Sequence, residues 1–119
     1  MKPGATGLTR VVHATRYSMK GLKAAWINEA AFRQEVVLLV FLSTLTFFLP
    51  VTPLEQVAMI SVVLLVIIVE LLNSAIETVV DRFGSEWNEL SGRAKDIGSA
   101  AVFVALLLAG LVWIGILFL

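Results

Sequence analysis

Residues 54–80, LEQVAMISVVLLVIIVELLNSAIETVV, decide the fold of this chain. The part from 57 to 69 is almost wholly apolar, and the helical pattern of apolar positions continues past it through Glu70, Asn73 and Glu77. A helix over the whole stretch is long enough to cross a hydrocarbon core about 30 Å thick. We therefore predict a membrane-spanning helix at about 54–80, with acidic and amide groups in its second half.

Two further segments have the composition of membrane spans. Residues 36–49 are uncharged, but they are short for a span, so the helix must begin among the charged residues before them. Pro50 and Pro53 then mark a short turn. Residues 97–119 contain no charged side chain. The predicted spans are therefore about 29–49, 54–80 and 97–119.

The segment before the first span is amphipathic. Its apolar residues recur at helical spacing, while Arg16, Lys20 and Lys23 lie on another face. Basic residues opposite an apolar face are typical of a helix that lies in the membrane interface. We predict such a surface helix at about 8–26; the alternative is an ordinary amphipathic helix packed on protein.

Composition supports a membrane protein. Of 119 residues, 59% are hydrophobic and 15% charged, with a mean hydropathy of +0.94, whereas soluble domains carry about 25% charged residues. The predicted fold class is an all-α membrane protein, a single integral membrane domain over residues 1–119. No basic block points to nucleic acid. With no cysteine and one histidine, any metal is expected to have oxygen ligands, which favours Mg²⁺.

The distribution of lysine and arginine predicts the orientation. The turn between the first two spans has neither residue, whereas the N-terminal segment and the connection between the last two spans are basic. The positive-inside rule then places the N-terminus and this connection in the cytoplasm and the C-terminus outside.

The acidic residues of the spans fall at two depths. Glu70, Asn73 and Glu77 share one helix face, because they are spaced i, i+3, i+7. At 1.5 Å per residue, Glu29 and Glu77 each lie roughly 30 Å from the outer turn, at the same cytoplasmic level. Glu70 lies roughly 10 Å deeper. A carboxylate at that depth is a candidate functional group, and the pair at one level is a candidate divalent-cation site.

Structural interpretations compete with these functional ones. Glu70 and Asn73 would also serve as hydrogen-bonding contacts between helices. Glu29 would also form an exposed i, i+4 ion pair with Arg33. Asp81 is predicted to pair with Arg82 at a helix end.

Two expectations follow for the surroundings of these acids. Three helices are not expected to shield a polar site on all sides, so we predict a homo-oligomer with its site between subunits. The polar connection at 85–95 is either a solvated loop or a site where Arg93 and Lys95 hold a phosphorylated ligand. No Walker A motif, kinase glycine loop or dinucleotide fingerprint occurs in the sequence.

Three motifs resemble the prokaryotic diacylglycerol kinase family. The most specific is ELLNSAIETVVD at 70–81; WINEAAFRQE at 26–35 and the stretch from Gly84 to Asp96 also match. The similarity extends from Gly7 into the last span. It implies a homotrimer in the bacterial inner membrane that uses ATP and Mg²⁺ to phosphorylate diacylglycerol to phosphatidic acid.

The resemblance also implies residue roles. Glu70, hydrogen-bonded to Asn73, resembles the general base, and Glu29 and Glu77 resemble the metal-binding pair. The positions resembling nucleotide contacts are Arg10, Tyr17, Glu29, Glu77, Glu86, Trp87, Asn88, Lys95 and Asp96. Those resembling the lipid site are Arg10, Lys23, Trp26, Ala31, Phe32, Arg33, Gln34, Glu35, Glu70 and Ser99. Asn88 departs from the family pattern, where histidine is common.

Three other functions stay open at this point. Within the family, the alternative substrate is undecaprenol, although the run at 30–35 looks more like the diacylglycerol branch. A proton or ion transporter would use Glu70 as its carrier, but three helices show no inverted repeat. A non-catalytic membrane anchor would tolerate replacement of Glu70.

Overall fold

A computed structural model describes residues 6–119, which form four helices and, within that range, no strand. The helices are α1 (Gly7–Asn28), α2 (Ala30–Thr46), α3 (Pro53–Asp81) and α4 (Glu89–Phe118). The predicted all-α class is confirmed. α3 packs against both α2 and α4, and α1 contacts α2.

The predicted bounds of α1 and α3 agree with the structure to within two residues, but those of α2 do not. α2 ends at Thr46, three residues before the predicted end of the span. The N–H groups of Phe47 and Phe48 donate to carbonyls only three residues back, at 3.1 and 3.0 Å, which is the tighter turn common at helix ends. Pro50 disfavours helical backbone at the residue before it, so the helix stops early.

The start of α4 corrects a second expectation. Residues 89–95 were predicted to belong to a polar connection, but they form the first turns of the helix. Asn88 is the N-cap: its Oδ1 accepts hydrogen bonds from the N–H groups of Leu90 and Ser91 at 2.9 and 3.1 Å. The polar residues are therefore helical because a side chain satisfies the first free N–H groups.

Replacing Asn88 by Ala is expected to destabilise the start of α4. Loss of an N-cap side chain typically costs about 1 kcal/mol. We expect a lower thermal unfolding midpoint in detergent and faster hydrogen exchange at Leu90 and Ser91. Asn88→Asp retains a capping oxygen and is the control, with near-normal exchange. Unchanged exchange in Asn88→Ala would contradict the capping role.

The N-terminus of α3 has a capping box. Thr52 Oγ1 accepts from Glu55 N–H at 3.1 Å, and Glu55 Oε1 accepts from Thr52 N–H at 2.8 Å. Pro53 occupies the first helical position, where its missing N–H is not needed. The α2–α3 turn is therefore closed by local hydrogen bonds.

Two further polar contacts join neighbouring helices, one beside this turn and one farther along α3. Gln56 Nε2 of α3 donates to Thr46 Oγ1 of α2 at 3.0 Å. Trp113 Nε1 of α4 donates to the carbonyl of Met59 on α3 at 3.0 Å, and Met59 is fully buried. These contacts fix the register of α3 against both neighbours.

α3 and α4 are long and apolar enough to cross a membrane. α2 has 17 helical residues, which span roughly 25 Å, less than a hydrocarbon core of about 30 Å. Its crossing therefore stays a prediction. In α1 only Ala25 is buried. The rest of the chain therefore leaves most of the apolar face of α1 uncovered, which agrees with a helix that lies in the membrane interface.

Candidate active site

The buried face of α3 contains the polar residues singled out in the sequence. Glu70, Asn73 and Ser74 are 6%, 8% and 7% exposed. Glu70 and Asn73 therefore lie on one face, as the i, i+3 spacing predicted, and that face points into the helix bundle. Burial of a carboxylate is costly unless the group is neutral, paired or hydrated, which makes Glu70 unusual among the residues of a span.

Asn73 connects to Glu77. Its Nδ2 donates to Glu77 Oε1 at 3.3 Å, and Glu77 is half-buried one turn further toward the end of α3. The resemblance implied a hydrogen bond from Asn73 to Glu70, and this expectation is wrong for the described residues. The i, i+4 spacing brings the Asn73 amide against the Glu77 carboxylate, so Asn73 orients Glu77 rather than Glu70.

Glu29 is the single non-helical residue between α1 and α2. Its backbone is extended (φ −119°, ψ 105°), and its N–H donates to the Ala25 carbonyl at 2.9 Å, completing the last turn of α1. The expectation of one continuous helix from 29 onward is therefore corrected by one residue. The carboxylate projects from a break between two helices, where it is half-buried.

Arg33 holds this break together. Its Nη1 donates to the carbonyls of Trp26 and Ile27 at 2.6 and 3.2 Å, two of the free carbonyls at the end of α1. Within residues 6–119 no ion pair joins Arg33 to Glu29. The alternative of an i, i+4 pair is therefore wrong, and the Glu29 carboxylate is left for another partner.

Four carboxylates converge on this region; we call Glu29, Glu35, Glu70 and Glu77 the acidic cluster. Glu70 lies near enough to Glu77 and Glu29 for their charges to interact, and Glu35 lies near enough to Glu70. Glu35 belongs to α2, is half-buried, and its Oε2 is buried without a hydrogen-bond partner. The fold thus brings Glu29, Glu70 and Glu77 together with Glu35 in one part of the bundle.

The acidic cluster fits a hard divalent cation. Mg²⁺ typically binds one or two protein carboxylates and completes its shell with water and substrate phosphates, rather than using an all-protein cage. Glu29 and Glu77 are half-buried, and neither is paired with a cation among the ion pairs of residues 6–119. The described residues contain no group of three or more ligands placed to hold a metal alone. The donor set therefore suits a metal that arrives with phosphate ligands.

The burial of Glu70 does not need a second subunit. A single chain leaves Glu70 only 6% exposed, because α2 and α4 cover α3 from both sides. The expectation that three helices cannot shield this side chain is therefore wrong for Glu70. The site as a whole remains open, since Glu29 and Glu77 are half-buried.

The α3–α4 connection is closed by an ion pair that the sequence did not predict. Lys95 Nζ lies 2.6 Å from Asp81 Oδ1, so Asp81 pairs across the connection rather than with Arg82. Arg93 instead lies 3.6 Å from Glu89 on the exposed face of α4. Because α4 begins at Glu89, Lys95 lies on a helix and its side chain reaches the end of α3. A loop at 85–95, as predicted, would not fix Lys95 in this position.

The remaining predicted nucleotide positions are exposed. Arg10 and Tyr17 lie on α1, with Lys20 Nζ 5.9 Å from the centre of the Tyr17 ring. Glu86 and Trp87 lie in the α3–α4 connection, and Asp96 lies in the early turns of α4. The structure places Lys95 and Asp96 on the helix that follows the connection, at the same end of α3 as Glu77.

The predicted lipid positions include two buried residues, Phe32 and Glu70, two half-buried ones, Arg33 and Glu35, and several exposed ones. Phe32 is 4% exposed and packs with Ala25 and Ile67. The exposed members are Arg10, Lys23, Trp26, Ala31, Gln34 and Ser99. A mostly apolar groove of about 740 Å³ runs between α1 and α3 and reaches Glu29. Phe32 is therefore a core packing residue within this chain.

One residue beside the site has no counterpart in the predicted set. Gly98 of α4 is buried against Asn73. A glycine inside a helix destabilises it by about 1 kcal/mol relative to alanine, so a glycine within a predicted span indicates close packing at that position. The signal gives no partner, since the partner lies on another helix.

Comparison with known proteins gives one consistent result. A sequence model of the family described as prokaryotic diacylglycerol kinase matches residues 16–117. A diacylglycerol kinase of Haemophilus influenzae is 61% identical over 95% of this chain and 96% of that protein. A diacylglycerol kinase of Escherichia coli is 57% identical over 95% of this chain and 93% of that protein. One of Pseudomonas aeruginosa is 54% identical over 96% of this chain and 93% of that protein.

Proposed function

The chain belongs to the prokaryotic diacylglycerol kinase family of enzymes, and on this basis we propose that it transfers the γ-phosphoryl group of ATP to the primary hydroxyl of diacylglycerol. The products are phosphatidic acid and ADP. The observation that carries the proposal is the buried Glu70 beside the two half-buried acids Glu29 and Glu77. One acid lies deep enough for a lipid hydroxyl, and two lie where phosphates arrive from water.

Glu70 acts as the general base. The hydroxyl oxygen of the lipid forms a bond to the γ-phosphorus while the bond from that phosphorus to the bridging oxygen of ADP breaks. The hydroxyl proton passes to the Glu70 carboxylate. Its depth, roughly 10 Å below Glu77, suits a hydroxyl near the head of a lipid whose acyl chains remain in the bilayer.

Glu29 and Glu77 are the residues that would hold Mg²⁺. A metal held by these carboxylates would supply charge neutralisation for the phosphate oxygens, the main requirement of phosphoryl transfer besides positioning. Asn73 supports this role because it donates to Glu77 and so limits the carboxylate's orientation. Arg33 supports it from the other side by closing the end of α1 next to Glu29.

Nucleotide contacts are proposed for residues of α1, of the α3–α4 connection and of the start of α4. Lys95 offers a cation that the phosphates of ATP would compete for, since its partner Asp81 is an exposed carboxylate at 2.6 Å. Arg10, Tyr17, Glu86, Trp87, Asn88 and Asp96 complete the proposed nucleotide set. The diacylglycerol cleft is proposed to include Lys23, Trp26, the stretch at 31–35 and Ser99.

The proposed setting is the bacterial inner membrane, with the protein as a homotrimer. Three spans, a cytoplasmic N-terminus and an outer C-terminus are supported by the apolar α3 and α4 and by the basic residues at one end. The active site then faces the cytoplasm, where ATP is available. The trimer is supported by family membership rather than by the burial of Glu70.

The deciding experiment is a transfer assay with radiolabelled ATP and Mg²⁺ in mixed micelles that contain diacylglycerol or undecaprenol. We expect label in phosphatidic acid. Label only in undecaprenyl phosphate would keep the kinase chemistry and replace the lipid substrate. Absence of label from both lipids would overturn the proposed function.

A further inference from the structure

The side-chain amide of Asn73 lies between the Glu77 carboxylate and the backbone of Gly98. Its Nδ2 donates to Glu77 Oε1 at 3.3 Å, whereas its Oδ1 is buried with no hydrogen-bond partner. The Oδ1 side of the amide faces the backbone of Gly98 on α4. The amide is planar and rigid, so any shift of its oxygen end also moves its nitrogen end.

Gly98 leaves no room for a side chain at this contact. A Cβ at this position would collide with Asn73 Oδ1 and would lie 3.2 Å from Asn73 Cγ and 3.9 Å from its Cβ. These three nearest atoms all belong to Asn73. At residue 98, α4 therefore approaches α3 against the Asn73 side chain.

The contact is unlike those of the other glycines of α4. A Cβ at Gly92, Gly110 or Gly115 would meet nothing within 4 Å. Gly98 is also the only one of these four that is buried. Helix propensity alone would favour alanine at all four positions, so steric contact with Asn73 distinguishes Gly98.

We propose that Gly98 is a positioning residue for the metal-binding acid: the absence of a side chain at 98 sets the Asn73 amide, which in turn orients the Glu77 carboxylate. This inference rests on the proposed function, because it deepens the role given to Glu77. Rotation about χ2 of asparagine has only a broad preference, so a Cβ at 98 that displaces Oδ1 turns the rigid amide as a unit and carries Nδ2 away from Glu77 Oε1. The hydrogen bond to Glu77 is then lost.

The test begins with Gly98→Ala in the full-length protein, with Gly110→Ala as the matched control in the same helix. Gly98→Ala is expected to raise the Mg²⁺ concentration for half-maximal transfer by about tenfold or more, the effect typical of losing a partner that orients a ligand. Gly110→Ala is expected to leave it unchanged. Equal Mg²⁺ titrations in the unaltered chain and Gly98→Ala would overturn the proposal.

A second cycle separates positioning from general damage to the fold. In an Asn73→Ala background the colliding atoms are gone, so Gly98→Ala is expected to add no further change in metal affinity. Its effect on the unfolding midpoint should also reverse sign, from a decrease in the unaltered chain to an increase in that background. The same loss of metal affinity in both backgrounds would overturn the route through Asn73.

Metal binding is also measured without catalysis, which keeps this inference separate from the proposed function. Mn²⁺ replaces Mg²⁺, a non-hydrolysable ATP analogue supplies the phosphates, and electron paramagnetic resonance reports the free ion. Weaker Mn²⁺ binding in Gly98→Ala supports the inference even if the unaltered chain transfers no phosphoryl group. Normal Mn²⁺ binding in Gly98→Ala overturns it even if the chain is an active kinase.

Discussion

Glu70→Gln is expected to lower the transfer rate by about 10²–10⁴-fold, the usual contribution of a general base. Glutamine has nearly the same shape but accepts no proton from the lipid hydroxyl. The side chain is only 6% exposed, and an amide is less costly to bury than a carboxylate, so the folded state should persist. The measurement is the turnover number at saturating ATP, Mg²⁺ and diacylglycerol.

The control for Glu70→Gln is nucleotide binding. Because Glu70 lies deeper than Glu29 and Glu77, the affinity for a non-hydrolysable ATP analogue with Mg²⁺ should stay close to that of the unaltered protein. Glu89→Gln, which removes an exposed carboxylate at the start of α4, is the matched variant and should retain turnover. A Glu70→Gln protein with normal turnover would favour the non-catalytic interpretation, in which Glu70 is a contact between helices.

Glu77→Gln is expected to change metal dependence first. Loss of a group that only orients a metal ligand typically weakens metal affinity roughly 10–100-fold. Loss of the ligand Glu77 itself should weaken Mg²⁺ affinity by at least as much. The neutral amide also leaves less negative charge to hold the cation. The measurement is transfer rate against Mg²⁺ concentration, with turnover partly recovered at high Mg²⁺.

Asn73→Ala separates the ligand from its support. Asn73 donates to Glu77 but is not proposed to touch the metal, so its loss should raise the required Mg²⁺ concentration by less than Glu77→Gln does. A Glu77→Gln protein with an unchanged Mg²⁺ titration would remove Glu77 from the metal site. The comparison thus ranks the two residues by how directly each acts.

The acidic face of α3 was predictable because helical periodicity is a local property. A spacing of i, i+3, i+7 puts three side chains on one face whatever the helix packs against, and it placed Glu70 with Asn73. The start of α3 was equally predictable, since Thr52, Pro53 and Glu55 lie within four residues of one another and form a local cap. Function class came from the match of residues 70–81 to a family pattern rather than from physics.

The partners of individual side chains were less predictable. Asp81 was assigned to its neighbour Arg82, but its carboxylate pairs with Lys95, because α4 starts at Glu89 and brings the lysine back to α3. Pairing with Arg33 was an alternative to the metal-binding role of Glu29, and residue 29 was placed at the start of a continuous helix, yet Glu29 forms the break between α1 and α2 and makes no ion pair with Arg33. Each error came from treating near neighbours in sequence as the default partners.

The sequence by itself therefore determined four helices, the amphipathic character of the first, the apolar character of the other three and the acids that share one face of α3, because these properties depend on spacing along a single helix. Only the tertiary structure decided that Asn73 joins Glu77, that Glu70 is already buried within one chain, and that Gly98 admits α4 against Asn73. The physical reason is that such contacts depend on how far each helix is rotated and shifted against the next. No periodicity within one helix encodes that rotation.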